Sequence, residues 1–169
     1  VFWYNLGMNL YAEIFDVLNK AKIKYLIVGG VAVNLYGYAR FTGDIDILLA
    51  LGFENLEKMN KLMEKRGYVP RLPVELHDLS DAKKLKNWIK TKGLKAYTFI
   101  SADKPHLDID ILVEDSLVFE KHYKDKIVVE AWKVKLPVVS FDYLIAMKKN
   151  AGRDKDLLDL KELLKLKDL

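Results

Sequence analysis

The chain has 169 residues, with 28 basic and 24 acidic side chains, a formal net charge of +4, and 51% apolar residues. That is enough chain to bury a hydrophobic core in a single domain, and the charges are interspersed rather than blocked, which argues against a basic nucleic-acid tail. With no cysteine, disulfides, thiolate nucleophiles and thiolate zinc sites are excluded, and no apolar run approaches the roughly 20 residues needed to span a bilayer.

The opening VFWYNLGM has neither the charged start nor the long apolar stretch of a secretion signal, so a cytoplasmic protein without membrane attachment is expected. Glutamine is also absent and lysine abundant, a composition that points toward a heat-adapted source. Asn9 to Lys20 carries Leu10, Ile14, Val17 and Leu18 at helical spacing behind a capping asparagine. Lys22 to Val28 reads as a strand that Gly29 and Gly30 end, and Val31 to Tyr36 as a short helix stopping at Gly37. Tyr38 to Gly43 is a loop, and Ile45 to Ala50 is apolar enough to lie inside a sheet. Phe53 to Arg66 returns to helical spacing, and Tyr68-Val69-Pro70 leads away from it.

Between Arg71 and Lys95 the pattern is broken by proline, with a lysine-rich helix over Asp81 to Lys92 placing Leu85, Trp88 and Ile89 inward. Ala96 to Ser101 and Leu107 to Val113 read as strands joined by an Ala102-Asp103-Lys104-Pro105 turn. Phe119 to Tyr123 reads as a short exposed piece, and Ile127–Ala131 and Trp132–Leu136 as paired strands. Ser140 caps a helix over Phe141 to Asn150, and a final helix runs from Asp154 to Lys167. Strands and helices interleave in an expected α+β chain, with a core over residues 9–139 and a helical segment over 140–169.

Asp44 and Asp46 are one residue apart at the mouth of a strand, so both carboxylates project from one face. Such a pair is stable when both acids are well solvated or when a divalent cation lies between them. Taken alone, Asp-x-Asp reads first as solvated acids. Three neighbours shift the balance toward a triphosphate site. Gly29 and Gly30 allow close backbone approach ahead of a helix N-terminus, Arg40 and Thr42 immediately precede the acids, and LDIDILV places Asp108 and Asp110 on one face of a second strand. His77, His106 and His122 do not fall at metal-motif spacing; His106 reads as a surface residue, and Trp88 and Trp132 read as core. Lys148 and Lys149 read equally as a solvated helix face, and Arg153, Asp156 and Asp159 as intrahelical pairs.

Val28-Gly29-Gly30, a spacer of thirteen residues and Asp44-Ile45-Asp46-Ile47 together resemble the signature of the nucleotidyltransferase superfamily related to DNA polymerase beta. The form Gly-Gly…Arg-x-Thr-x-Asp-x-Asp, with the run from Asp142 through Lys148 and Arg153 to Asp159, is similar to the prokaryotic branch containing AbiEii-type toxins and small uncharacterised nucleotidyltransferases. The resemblance implies a nucleotidyltransferase fold, a mixed twisted sheet flanked by helices with C-terminal helices, and transfer of a nucleotide from an NTP to an acceptor that is RNA, protein or a small molecule. It implies Asp44 and Asp46 as ligands of magnesium, or of manganese in its place, with Asp110 or, alternatively, Asp108 as third carboxylate. By the same resemblance, Gly29 and Gly30 contact the triphosphate, Arg40 and Thr42 bind phosphate or the base–sugar end, and Lys148 neutralises the outer phosphates. An antitoxin-like partner or a homodimer is compatible with it. Two other readings stay open: a non-catalytic nucleotide- or partner-binding module, and a metal-dependent phosphohydrolase.

Overall fold

A computed structural model describes residues 2–101 and 107–167, with side chains described for those from 10 to 166. The expected turn at Ala102-Asp103-Lys104-Pro105 and His106 lie outside the described residues. The sheet has seven strands: β1 (Tyr25–Ile27), β2 (Ile45–Leu49), β3 (Tyr68–Pro70), β4 (Ala96–Ser101), β5 (Ile109–Leu112), β6 (Ile127–Ala131) and β7 (Val134–Val138). Their spatial order is β3-β4-β5-β2-β1-β7-β6. The β1/β7 and β2/β5 pairs are parallel and the rest antiparallel, so the sheet is mixed as expected. Around it lie α1 (Phe2–Lys20), α2 (Gly29–Leu35), α3 (Phe53–Lys65), α4 (Ala82–Lys92), α5 (Val113–Ser116), α6 (Phe119–Lys124), α7 (Phe141–Ala151) and α8 (Asp154–Lys167).

The central strands divide their side chains by alternation. Ile45 and Ile47 of β2 and Ile109 and Ile111 of β5 are fully buried, while the acids between them occupy the other face. Leu48 and Leu49 are buried as well, which seats the C-terminal half of β2 within the core on both faces. Among the described residues no helix is long and apolar enough to cross a membrane.

Several boundaries differ from the sequence reading. The first helix begins at Phe2, because Asn9 is accommodated inside it and does not cap it. Tyr68–Pro70 is not a departing loop but edge strand β3, paired with Phe99–Ser101 of β4; Pro70 is tolerated there because an edge strand has one side without a ladder. A 3-10 turn at Leu76–Ser80 buries Leu76 and Leu79 within the stretch that showed no clear pattern. Leu107 and Asp108 precede β5, and Val113 already starts α5. Phe119–Lys124 is a helix, not an exposed piece: Phe119 and His122 are buried, and His122 stacks on Tyr143 at 3.5 Å between ring centres. The last hairpin turns at Trp132 and Lys133, both with positive φ (54° and 63°), which shifts its second strand two residues toward the C-terminus.

Candidate active site

The parallel pairing of β2 with β5 places Asp46 directly beside Asp110. Thr98 of β4 is the next residue in the same row and donates its hydroxyl to Asp110 Oδ1 at 2.6 Å. Asp44 and Asp108 each lie two residues upstream of these acids, at the strand mouths. Arg71 donates to Asp108 Oδ2 at 2.6 Å, so Asp108 has a cationic partner. Among the described residues, no lysine or arginine forms an ion pair with Asp44, Asp46 or Asp110.

This concentration of like charge is visible in the acid strengths. Loss of hydration, and then the charges of Asp110 and Asp108, push the Asp44 carboxyl above the usual aspartate range. Asp46 is also raised, first by burial and then by Asp110, against the hydrogen bond from the Gly30 N–H and the charge of Lys148.

The double glycine has a steric reason. Gly29 follows the extended Val28 with φ +61°, and a Cβ there would lie 1.9 Å from Asp46 Oδ2. At Gly30 a Cβ would lie 2.4 Å from Thr42 Oγ1 and 3.2 Å from an Arg40 terminal nitrogen. Both positions must therefore lack a side chain for the acid and the loop to approach the start of α2. The loop itself is fastened by residues the sequence reading passed over. Asn34 accepts from the Arg40 N–H at 3.0 Å and donates to the Arg40 carbonyl at 2.9 Å, and the Tyr11 hydroxyl donates to the Thr42 carbonyl. An asparagine inside an apolar seven-residue helix is the one local sign that could have singled out Asn34.

Behind the acids lies a buried ion network. The Arg40 guanidinium grips Asp159 through Nε at 2.5 Å and a terminal nitrogen at 2.7 Å. Lys148 Nζ sits between Asp159 at 2.8 Å and Asp156 at 3.0 Å, and Arg153 Nε donates to Asp156 at 2.6 Å. Asp156 and Asp159 are fully buried and Lys148 almost so, whereas Lys149 is exposed. Lys148 is therefore no solvated helix position, and of the expected intrahelical pairs only Arg153–Asp156 forms; Asp159 pairs across the molecule. Burial by itself would raise both carboxyls. The hydrogen bonds from Arg153 and Lys148 to Asp156, and from Arg40 and Lys148 to Asp159, outweigh it and hold both below the usual range. No buried side-chain polar atom among the described residues lacks a partner.

The tertiary structure thus brings Asp44, Asp46, Asp110, Gly29, Gly30, Thr42, Arg40 and Lys148 to one region. Phe41, 85% exposed, stands on the loop beside it. Two surface cavities, of about 530 and 360 Å³, lie elsewhere, at Val17–Ala21 with Leu62–Arg66 and at Ala50–Gly52 with Leu117–Lys121. Among the described residues no three carboxylate or histidine side chains converge closely enough to enclose a metal ion by themselves. The donor chemistry still suits a hard cation. Two adjacent carboxylates with no cationic partner, and a third at the strand mouth, match magnesium's habit of taking only part of its shell from protein and the rest from water and substrate phosphates.

The family described as Nucleotidyl transferase AbiEii toxin, Type IV TA system, matches residues 15–169. No curated protein matches the sequence. Among solved structures, the lincomycin-bound lincosamide antibiotic adenylyltransferase LnuA is similar at 19% identity and a TM-score of 0.62, covering 92% of this chain and 95% of that one. A protein of Thermotoga maritima described as a nucleotidyltransferase, TM1012, aligns at 17% identity and a TM-score of 0.57, covering 95% of this chain and 94% of that one. The antibiotic-resistance factor ANT(2'')-Ia aligns at 12% identity and a TM-score of 0.59, covering 95% of this chain and 84% of that one. At these identities the structures share the fold.

Proposed function

The chain belongs to the AbiEii nucleotidyl transferase family, and from that premise we propose that it transfers a nucleoside monophosphate from an NTP to a hydroxyl group, using the row of acids at the mouths of β2 and β5. The observation that carries this reading is the side-by-side register of Asp46 and Asp110, with Asp44 two residues upstream and, among the described residues, no lysine or arginine in an ion pair with any of the three.

The acceptor hydroxyl oxygen attacks the α-phosphorus, the α–β phosphoanhydride bond breaks, and pyrophosphate leaves. Magnesium, or manganese in its place, held by Asp44 and Asp46 with Asp110 completing the set, would supply charge neutralisation for the triphosphate and the leaving group. Asp110, whose Oδ1 accepts the Thr98 hydroxyl and is oriented by it, either completes that set or takes the acceptor's proton. Arg40 and Lys148 supply positive charge for the phosphates, with Asp159 as the shared counterion that holds both in position. Gly29 and Gly30 keep side chains out of the space that Asp46 and Thr42 occupy. The acceptor class is a hydroxyl-bearing small molecule, RNA or protein. LnuA is named for an antibiotic acceptor and the AbiEii family for toxin–antitoxin systems, and both classes enter the test.

The test is transfer of label from α-labelled NTPs to a panel of acceptors, read alongside pyrophosphate release. Asp44→Asn and Asp46→Asn are each expected to abolish metal–NTP binding while leaving the melting temperature unchanged or slightly raised, since like-charge repulsion is relieved. Wild-type affinity in either variant would remove the acid pair from the site. Tight binding with no transfer to any acceptor would identify a binding module, and metal-dependent phosphate release without acceptor a hydrolase.

A further inference from the structure

The sheet has two edges of different character. The β3 edge is only three residues long and ends at Pro70, features that discourage further pairing. The β6 edge is five residues, Ile-Val-Val-Glu-Ala, with no proline and with Ile127 38% and Val128 58% exposed.

Three observations fix which backbone groups of β6 face outward. The two-residue turn at Trp132 and Lys133 closes on the Ala131–Val134 pair, which in such a hairpin is hydrogen-bonded. Val128 lies opposite Pro137, which has no N–H to offer. The Val139 N–H donates to the Ile27 carbonyl of β1 at 3.2 Å, so alternation turns the N–H of Val138 toward β6 and its partner Ile127. Ile127, Val129 and Ala131 therefore bond to β7. The N–H and C=O groups of Val128 and Glu130, and of Lys126 just before the strand, point away from the sheet.

These outward residues are self-complementary. An antiparallel pairing of two β6 strands about a two-fold axis at Val128 sets Val128 against its own copy and Lys126 against Glu130 of the other chain, twice by symmetry. Each of these three residues has its backbone bonding groups directed at the partner. The three side chains alternate onto one face, with Val128 flanked by opposite charges. A shift of one residue would set inward-bonded residues against the partner and lose the charge match. Lys126 Nζ rests 3.9 Å from the Tyr123 ring centre and donates to the Tyr123 carbonyl at 3.2 Å, which holds the ammonium beside the edge.

We propose that β6 is the interface of a homodimer, in which two copies of this chain pair edge to edge about Val128 and extend the sheet across both. The proposal is independent of the reaction at the acids. Sedimentation equilibrium of the wild-type chain is expected to show a concentration-dependent species of twice the 19.5 kDa chain mass. V128P removes an N–H that serves no bond within the chain, so it is expected to keep the wild-type circular dichroism spectrum and melting transition while remaining monomeric. K126E and E130K are each expected to weaken association at least tenfold through like-charge contacts, and an equimolar mixture of the two to restore it as a heterodimer. A wild-type chain that stays monomeric over the whole range, including one that only takes up a foreign strand, would overturn the proposal. So would a V128P variant that still dimerises, or a mixture that associates no better than its components.

Discussion

At Gly29 the backbone conformation and the nearest neighbour make the same demand. The left-handed φ of +61° costs an ordinary side chain about 1–2 kcal/mol, and an added Cβ would fall within 1.9 Å of the Asp46 carboxylate. Gly29→Ala is therefore expected to lose more than that strain alone in urea unfolding and to displace Asp46. Gly30→Ala should be milder, because its nearest obstacle is the movable Thr42 hydroxyl. Asp46 itself has a predictable pH signature. Its folded pKa is raised above the unfolded value, so the ionised carboxylate costs stability; the cost is absent below the unfolded pKa of about 3.9 and sets in as pH rises through the folded value. The stabilisation of Asp46→Asn over wild type should accordingly be seen near neutral pH and vanish in acid, as read from melting temperatures across the pH range. In the sequence Asp110 is favoured over Asp108 only by its deeper place in the apolar run, since both alternate onto one face. Their neighbours differ only in the fold: Arg71 neutralises Asp108, while Asp110 meets the uncharged Thr98.

The helix α8 shows how an element's pattern can be read correctly while its orientation stays hidden. Its leucines announce a helix, yet Leu157, Leu158 and Leu164 are exposed, and the inward face carries Asp156, Asp159 and Leu163. The acids face inward because Lys148 of the preceding helix α7 and Arg40 of the loop after α2, 119 residues from Asp159, meet them there. Asp159→Ala would leave the half-buried Arg40 without its carboxylate partner and the buried Lys148 with Asp156 alone, and is expected to cost about 3 kcal/mol near neutral pH, measured by chemical unfolding. The pH dependence has the opposite sign to that of Asp46. The Asp159 folded pKa is depressed, so its contribution is present above the unfolded value and is lost as pH falls through the folded one, and the gap between wild type and variant should narrow in acid. The missed strand β3 and helix α6 are short, and at three and six residues they offer too few repeats for a period to show.

For the whole molecule, the proposed site predicts a linkage between ligand and fold. At about 100 times its dissociation constant, a ligand bound only by the native chain adds about 2.7 kcal/mol of stability. Metal with NTP should raise the melting temperature of the wild-type chain, NTP alone should raise it less, and neither should move Asp44→Asn. Local pattern was sufficient to determine that this chain interleaves strands with helices, that a Gly29-Gly30 turn precedes paired acids, and that a second acidic strand exists. Those features rest on alternation and on conformational limits that act within a few residues. Only the tertiary structure decided that Asp110 stands beside Asp46, that Arg71 claims Asp108, and that Asp159 joins Arg40 and Lys148 in one buried network. Which charge meets which depends on strand order and helix placement, and these are set by packing between segments far apart in the chain.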